Sequence, residues 1–383
     1  MRGTKSFLIL ALITIVVGAA AFLTPKEESK INRAGEVVFP DLAQKLESVQ
    51  KVVATSAGQV VNLKRAGDGW VVEERNDYPA NIQDVTALLI GTGDFVRVEP
   101  KTAKPENYEA LEVDDPMDEE SVAIQYELLD GSGQALASYV MGKRRIGKTN
   151  PHAEEYFIRT KEDPQVWLVA GKVPRHRIAP SWLSNELLKF DARRIKRVVI
   201  KHSDGDVLEV VKNAPEESTY MLMDIPEGRE VEVPFRVHGV ASVLSDLNLN
   251  DVKKIEDFDF SDLELTATLE TFDGMRLMVD SKKDEDYTYV RLNATFEPAL
   301  VWPQPATSPE TSDAKQPADQ KNGAPPPLEL LDEEAIKAEI AKLNSGSASW
   351  AYQVSTFSMD NLRKRMKDLT KEIKTDESKA SDG

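Results

Sequence analysis

The sequence predicts an α+β fold: two tandem repeats of a mostly antiparallel β-meander with packed helices, preceded by one N-terminal transmembrane helix. Three observations carry this. The order of apolar runs and turns that begins near Val49 returns from Ile195 onward. Both copies change from strand-like alternation to a helical period at the same place in that order. The chain also opens with twenty uncharged residues, Ser6 to Pro25.

That opening run is just long enough to span a bilayer. Arg2 and Lys5 precede it, so the flank stays cytoplasmic and everything after Lys26 lies outside. The expected location is therefore the bacterial inner membrane, single-pass, with the bulk of the chain periplasmic. A cleaved signal peptide ending at Ala19-Ala20-Ala21 is the alternative. The apolar run continues past that point through Phe22-Leu23, which favours an uncleaved anchor.

Composition narrows the rest. With 383 residues the chain can hold two cores, and 41% hydrophobic with 30% charged residues is a globular balance. A formal net charge of −17 argues against nucleic acid, whose phosphates need clustered Lys and Arg. The absence of cysteine excludes disulfides, thiolate nucleophiles, Cys-ligated metals and a lipidated mature start.

Residues 26–47 read as a tether, with a short helix over Asp41 to Glu47. The first repeat, 48–170, opens with Val49-Gln50-Lys51-Val52-Val53-Ala54-Thr55, turns at Gly58, and reaches Trp70-Val71-Val72. The second, 193–297, opens with Ile195-Lys196-Arg197-Val198-Val199-Ile200-Lys201, turns at Asp204-Gly205, and reaches Tyr220-Met221-Leu222. Then the period changes. Ile82, Val85, Leu88 and Leu89 share a helical face ending near Gly91-Thr92-Gly93, and Val237, Val240, Ala241, Leu244 and Leu247 follow Pro234 likewise. Hairpin signals come next, at Asp130-Gly131 and Asp273-Gly274, and Tyr156–Arg159 is echoed by Thr288–Arg291.

The first copy ends with a strand Val166–Val169, followed by a connector, 171–192, holding a helix from Ser181 to Leu188. In the second copy an insertion, 298–330, intervenes; its Pro, Ala and Ser content predicts disorder. Residues 331–374 then complete the repeat with a helix Asp332 to Leu343, a strand Trp350–Val354 and a C-terminal helix Ser358 to Ile373. Residues 375–383 form a loose tail. Packing of the two copies on each other and a hinge around Gly171 to Pro180 are both compatible with the sequence.

Few patterns carry chemistry. Gly142-Lys-Arg-Arg-Ile-Gly147-Lys148-Thr149 matches the phosphate-cradling P-loop letter for letter. A P-loop requires a helix starting at the lysine, whereas Asn150-Pro151 and then a strand-like run follow here, so Gly142, Gly147, Lys148 and Thr149 read as a hairpin loop. His152, His176, His202 and His238 lack zinc spacing. The clusters around Asp114–Glu120 and Asp284–Asp286 lack the calcium-loop pattern and read as solvated turns. Trp70, Trp167, Trp182 and Trp350 sit in periodic apolar runs and read as core rather than a carbohydrate platform. Arg363, Lys364, Arg365, Lys367, Lys371 and Lys374 would line one face of the C-terminal helix, either as a solvated face or as a contact for anionic lipid or a partner. No catalytic residue, metal or cofactor is nominated.

Laid out this way, the chain resembles a family of bacterial envelope proteins, domain of unknown function 4340. The resemblance rests on the N-terminal anchor, the apolar opening from Val49 to Val72 with its Gly-x-Trp-x-Val end, and the following helix. It rests also on Tyr108-x-x-Leu111 with Asp115-Pro116, on Met141-Gly142-Lys143 and on Tyr156-Phe-Ile-Arg159, and covers most of residues 48–300. Glu109 and Ala110 depart from the usual middle of the Tyr108 segment. Members often occur beside gliding-motility-type ABC transporter components, which implies an accessory role with those subunits as partners. The expected function is a non-catalytic, membrane-anchored periplasmic scaffold or accessory protein. An envelope polysaccharide or cell-wall binding protein or hydrolase is the alternative, and P-loop nucleotide binding the remote one.

Overall fold

The computed structural model describes residues 33–146, 154–303 and 328–373. The expected transmembrane run, the letters Gly147, Lys148 and Thr149, most of the insertion and the tail lie outside the described residues. Among the described residues no helix is long and apolar enough to cross a membrane.

Most strands fall into two nine-stranded sheets and are numbered in chain order. The first holds β1 (Val49–Ser56), β2 (Gln59–Ala66), β3 (Gly69–Val72), β4 (Tyr78–Pro79), β5 (Val96–Pro100), β6 (Ile124–Asp130), β7 (Ala135–Ile146), β8 (Glu154–Thr160) and β9 (Trp167–Ala170). Its order is β4-β3-β2-β1-β6-β7-β8-β9-β5. The second holds β10 (Glu186–Lys189), β11 (Ile195–His202), β12 (Val207–Val211), β13 (Met221–Leu222), β15 (Asp246–Lys254), β16 (Leu265–Thr271), β17 (Met275–Asp284), β18 (Tyr287–Phe296) and β19 (Trp350–Val354). Read from β13, its order is β13-β12-β11-β16-β17-β18-β19-β15-β10. Eight strands of each therefore follow one course, β3-β2-β1-β6-β7-β8-β9-β5 against β13-β12-β11-β16-β17-β18-β19-β15. Neighbouring strands pair antiparallel.

The irregularities coincide as well. The β1–β6 register shifts between Val49 and Lys51, and the β11–β16 register between Ile195 and Arg197. The β5–β9 register shifts between Arg97 and Glu99, and the β15–β19 register between Leu249 and Asp251. A bulge re-aims a strand at a defined point, so both sheets bend at matching places. Alternating burial follows from the pleat: Leu265, Ala267 and Leu269 of β16 are buried while Thr266 and Thr268 are only partly so.

A helix sits after β4 and before β5 in the first sheet, α1 (Ile82–Gly93), and one precedes β15 in the second, α2 (Pro234–Ser242). Val85, Leu88 and Leu89 of α1 are buried, as are Val237, Val240 and Ala241 of α2, whose Pro234 occupies the first turn. Helix α2 is shorter than its apolar spacing predicts, because Leu247 already belongs to β15 and Leu244 to a 3₁₀ turn. Helix α3 (Glu333–Ser347) is capped by Asp332, which accepts from the Ala335 amide. Asn344 exchanges hydrogen bonds with both main-chain groups of Ala294 on β18, and Arg194 links Glu339 of α3 to the buried Asp273.

Contacts divide the chain into two units, Met1–Trp70 with Ile82–Ile178, and Val71–Asn81 with Ala179–Gly383. Three sequence expectations need correction. Residues 33–40 are not a free tether: Gly35 and Val38 donate to the Arg97 and Phe95 carbonyls, Val38 is buried, and the helix expected over Asp41 to Glu47 is two 3₁₀ turns. The connector helix over Ser181 to Leu188 does not form. A 3₁₀ turn (Ala179–Trp182) precedes β10, whose Leu188 pairs with Leu247, so sheet pairing overrides the local preference. The C-terminal helix is broken into α4 (Thr356–Met359) and α5 (Met366–Leu369), after which β20 (Thr370–Glu372) pairs with β14 (Arg229–Val231). Arg363 turns to Glu264 and Arg365 to Asp204 and Asp206, and the Asp368 carboxylate caps a new turn at the Arg365 amide. The predicted cationic face therefore never lines up on one helix.

Candidate functional site

A cleft of about 1150 Å³ lies in the first unit. Helix α1 forms one wall. Its apolar stripe faces inward, which leaves Gln83, Thr86, Ala87 and Ile90 on the open side. The other wall is the stretch after β9, Gly171 to Arg175, and the floor carries Arg144 of β7 with Glu154 and Tyr156 of β8.

Two glycines let the walls approach. A Cβ on Gly91 would stand 2.1 Å from the Lys172 carbonyl oxygen, and one on Gly171 would stand 2.4 Å from the Phe95 ring. Both distances are inside contact range, so any side chain there would push the stretch away from the helix.

Several polar groups of the cleft face one another, while Asp94 and Lys172 also line it. Arg144 meets Glu154 at 3.2 Å, and the Tyr156 hydroxyl donates to the same carboxylate. Burial pushes the Tyr156 phenol well above the usual range, and the Glu154 carboxylate adds to this, so the group stays protonated at neutral pH. His176 Nε2 lies 3.1 Å from Asp84 Oδ2, joining the 171–177 stretch to α1. Arg175 faces Glu112 at 3.7 Å, and Glu112 adopts a left-handed conformation at φ 58°.

Of the P-loop letters, Gly142 to Ile146 are described and Gly147, Lys148 and Thr149 are not. Gly142 lies inside β7, whose antiparallel neighbour β8 begins at Glu154. A Cβ on Gly142 would meet the Leu111 and Glu112 carbonyl oxygens at 2.2 and 2.6 Å. Carbonyl oxygens repel phosphate, so this glycine serves the crossing of the 108–113 loop over the strand. The same crossing gathers other motif residues: Arg159 stacks on Tyr108 and donates to the Val113 carbonyl, and the Tyr108 hydroxyl donates to the Pro164 carbonyl at 2.7 Å.

The other sequence candidates disperse. Trp70, Trp167, Trp182 and Trp350 are all buried. His202 reaches the Lys364 carbonyl, His238 lies between Tyr220 and Phe235, and His152 is outside the described residues. Among the described residues no group of three or more His, Asp or Glu side chains could hold a metal ion. The cleft itself was not foreseen, since it joins residues 84, 91, 144, 156 and 172; only the paired glycines Gly91 and Gly171 hinted at a close approach.

A family model described as a domain of unknown function, DUF4340, matches residues 70–263. The chain belongs to this family. The match takes in α1, the Gly142 crossing and the cleft of the first unit. It ends inside the second unit, so the DUF4340 region spans parts of both sheets. No curated protein and no solved structure matches the chain.

The second unit has a groove at the corresponding place, where the chain leaving β19 runs beside α2. Gly239 of α2 brings its α-carbon side within 3.3 Å, measured from an ideal Cβ, of the Asn361 amide. This groove is smaller, about 630 Å³, and is lined by Glu232, Arg236, Asp360, Arg363, Lys364, Lys367 and Asp368.

Proposed function

We propose that the protein is a non-catalytic accessory component of the cell envelope, anchored in the inner membrane by residues 6–25, that receives a segment of a protein partner in the α1 cleft. The observation that carries this reading is the pairing of the cleft's polar groups. Arg144, Arg175 and His176 each face a carboxylate, and the Tyr156 hydroxyl is bonded to Glu154. A hydrolase needs a base or nucleophile free to act on substrate; here those groups already engage one another beside the mixed wall of Gln83, Thr86, Ala87 and Ile90, an arrangement that supports recognition over catalysis. The uncharged run behind Arg2 and Lys5 supports the anchor, and the family resemblance supports an ABC-type transport complex as the setting. Ile90, 49% exposed on the open side of α1, is the natural reporter. A photo-crosslinking residue at position 90, in native membranes, should trap one membrane-protein partner that the same probe at the exposed Met117 does not. Equal labelling from both positions, or none from position 90, would count against the proposal.

A further inference from the structure

The two grooves hold matching places in their units but differ in chemistry. In the second, Arg236 is engaged by Glu232 at 2.7 Å and Arg363 by Glu264 at 2.6 Å. Asp360 also faces Arg363 at 3.5 Å and Asp368 accepts from the Arg365 amide, which leaves Lys364 and Lys367 without an ion pair among the described residues. The two most exposed large apolar side chains described belong to the same two segments. Phe235, next to Arg236 in the first turn of α2, is 78% exposed, and Phe357 of α4 is 84% exposed.

We propose that this face docks on an anionic lipid surface. An apolar side chain left in water costs free energy roughly in proportion to its area, so two exposed phenylalanines near the unpaired Lys364 and Lys367 favour a partner that takes apolar and cationic contacts together. A bound peptide would seat its anchors in a concave apolar pocket, yet here the groove is polar and the apolar groups project from its sides. That arrangement suits a bilayer interface: the rings enter the acyl boundary while Lys364 and Lys367 reach headgroup phosphates. The inference does not depend on what fills the α1 cleft.

The chain contains no cysteine, so a single introduced thiol can be labelled without background. The full chain carrying Thr356→Cys, beside Phe357, or Glu119→Cys in the first unit, is labelled with an environment-sensitive fluorophore. Each is reconstituted into phosphatidylcholine vesicles with or without phosphatidylglycerol, containing spin-labelled lipid. The label at 356 should be quenched in anionic vesicles only, and 0.5 M salt should reverse this, while the label at 119 is unaffected. The comparison between labels is internal, so it holds however the chain reaches the vesicle. Neutralising each of Lys364 and Lys367 to Gln should lower the docked fraction about fivefold at low salt, and Phe235→Ser with Phe357→Ser should abolish docking. Quenching equal in neutral and anionic vesicles, quenching that survives these substitutions, or a response to soluble poly-glutamate without lipid contact would overturn the proposal.

Discussion

Arg159 lies over the ring of Tyr108, its guanidinium carbon 4.8 Å from the ring centroid, while its Nε and Nη2 both donate to the Val113 carbonyl at 3.3 and 3.2 Å. One side chain thus ties strand β8 to both ends of the loop that crosses β7. A lysine can reproduce the charge but not the flat stacking surface with two parallel donors. Arg159→Lys should therefore cost nearly as much as Arg159→Ala, about 1.5–3 kcal/mol from the charged hydrogen bonds. The control is Arg144→Lys, an exposed pair worth at most about 1 kcal/mol. Denaturant titration of the three variants gives the comparison, and a full rescue by lysine would show that charge alone matters.

Beneath that loop, Gly142 has no room for a methyl group, with two backbone oxygens at 2.2 and 2.6 Å from where it would sit. Backbone cannot swing aside as a flexible side chain can, so Gly142→Ala should destabilise by about 3 kcal/mol or more. Lys148→Ala should leave the melting temperature unchanged, and calorimetry with ATP and magnesium should show no heat for the intact protein. Saturable ATP binding abolished by Lys148→Ala would restore the nucleotide reading.

The same residues show what could be read from the sequence. Tyr108, Gly142 and Arg159 stand out separately as motif letters, but their meeting depends on the β7–β8 register and a loop crossing, which spacing does not encode. The hairpins β1–β2, β6–β7 and β16–β17 were legible from their turns because they are local, whereas the β1–β6 and β5–β9 pairings join distant segments and were not. Helix α1 was legible from Val85, Leu88 and Leu89, and α3 from Asp332 as its cap. The C-terminal helix misled because Met359, Leu362 and Leu369 keep helical spacing and are all buried. They achieve burial on separate turns, since ion pairs from Arg363 and Arg365 to distant carboxylates bend the chain between them. The α1 cleft was illegible for a related reason: Gly91 and Lys172 meet only through tertiary contact.

Burial also shapes the response to alkali. Tyr78, Tyr126, Tyr139, Tyr156, Tyr220 and Tyr352 all have phenols pushed above the ordinary value of 10.0, chiefly by desolvation. A phenol harder to ionise in the folded state than in the unfolded one contributes stability that is fully present below pH 10 and is lost as pH rises above it. The protein should therefore unfold on the alkaline side with tyrosinate absorbance at 295 nm appearing together with loss of circular dichroism. Growth of most of that absorbance while the dichroism holds steady would contradict the burial of these rings.

The cleft itself rests on Gly91, where the Lys172 carbonyl oxygen occupies the space of a side chain. Gly91→Ala adds one methyl group on a helix, a change that alone favours helix by up to about 1 kcal/mol. Here the clash acts against that gain and must displace the 171–175 stretch, carrying Arg175 and His176 away from Glu112 and Asp84. The expected net loss of stability is modest, about 1–2 kcal/mol, whereas cross-linking from position 90 should fall at least tenfold, because the far wall has moved. Ala87→Gly serves as the opposite control, weakening α1 by a similar amount without touching that wall. If both variants lose cross-linking in proportion to stability, the cleft is not the recognition surface. If only Gly91→Ala loses it, the spacing between α1 and the stretch after β9 sets what the protein can hold.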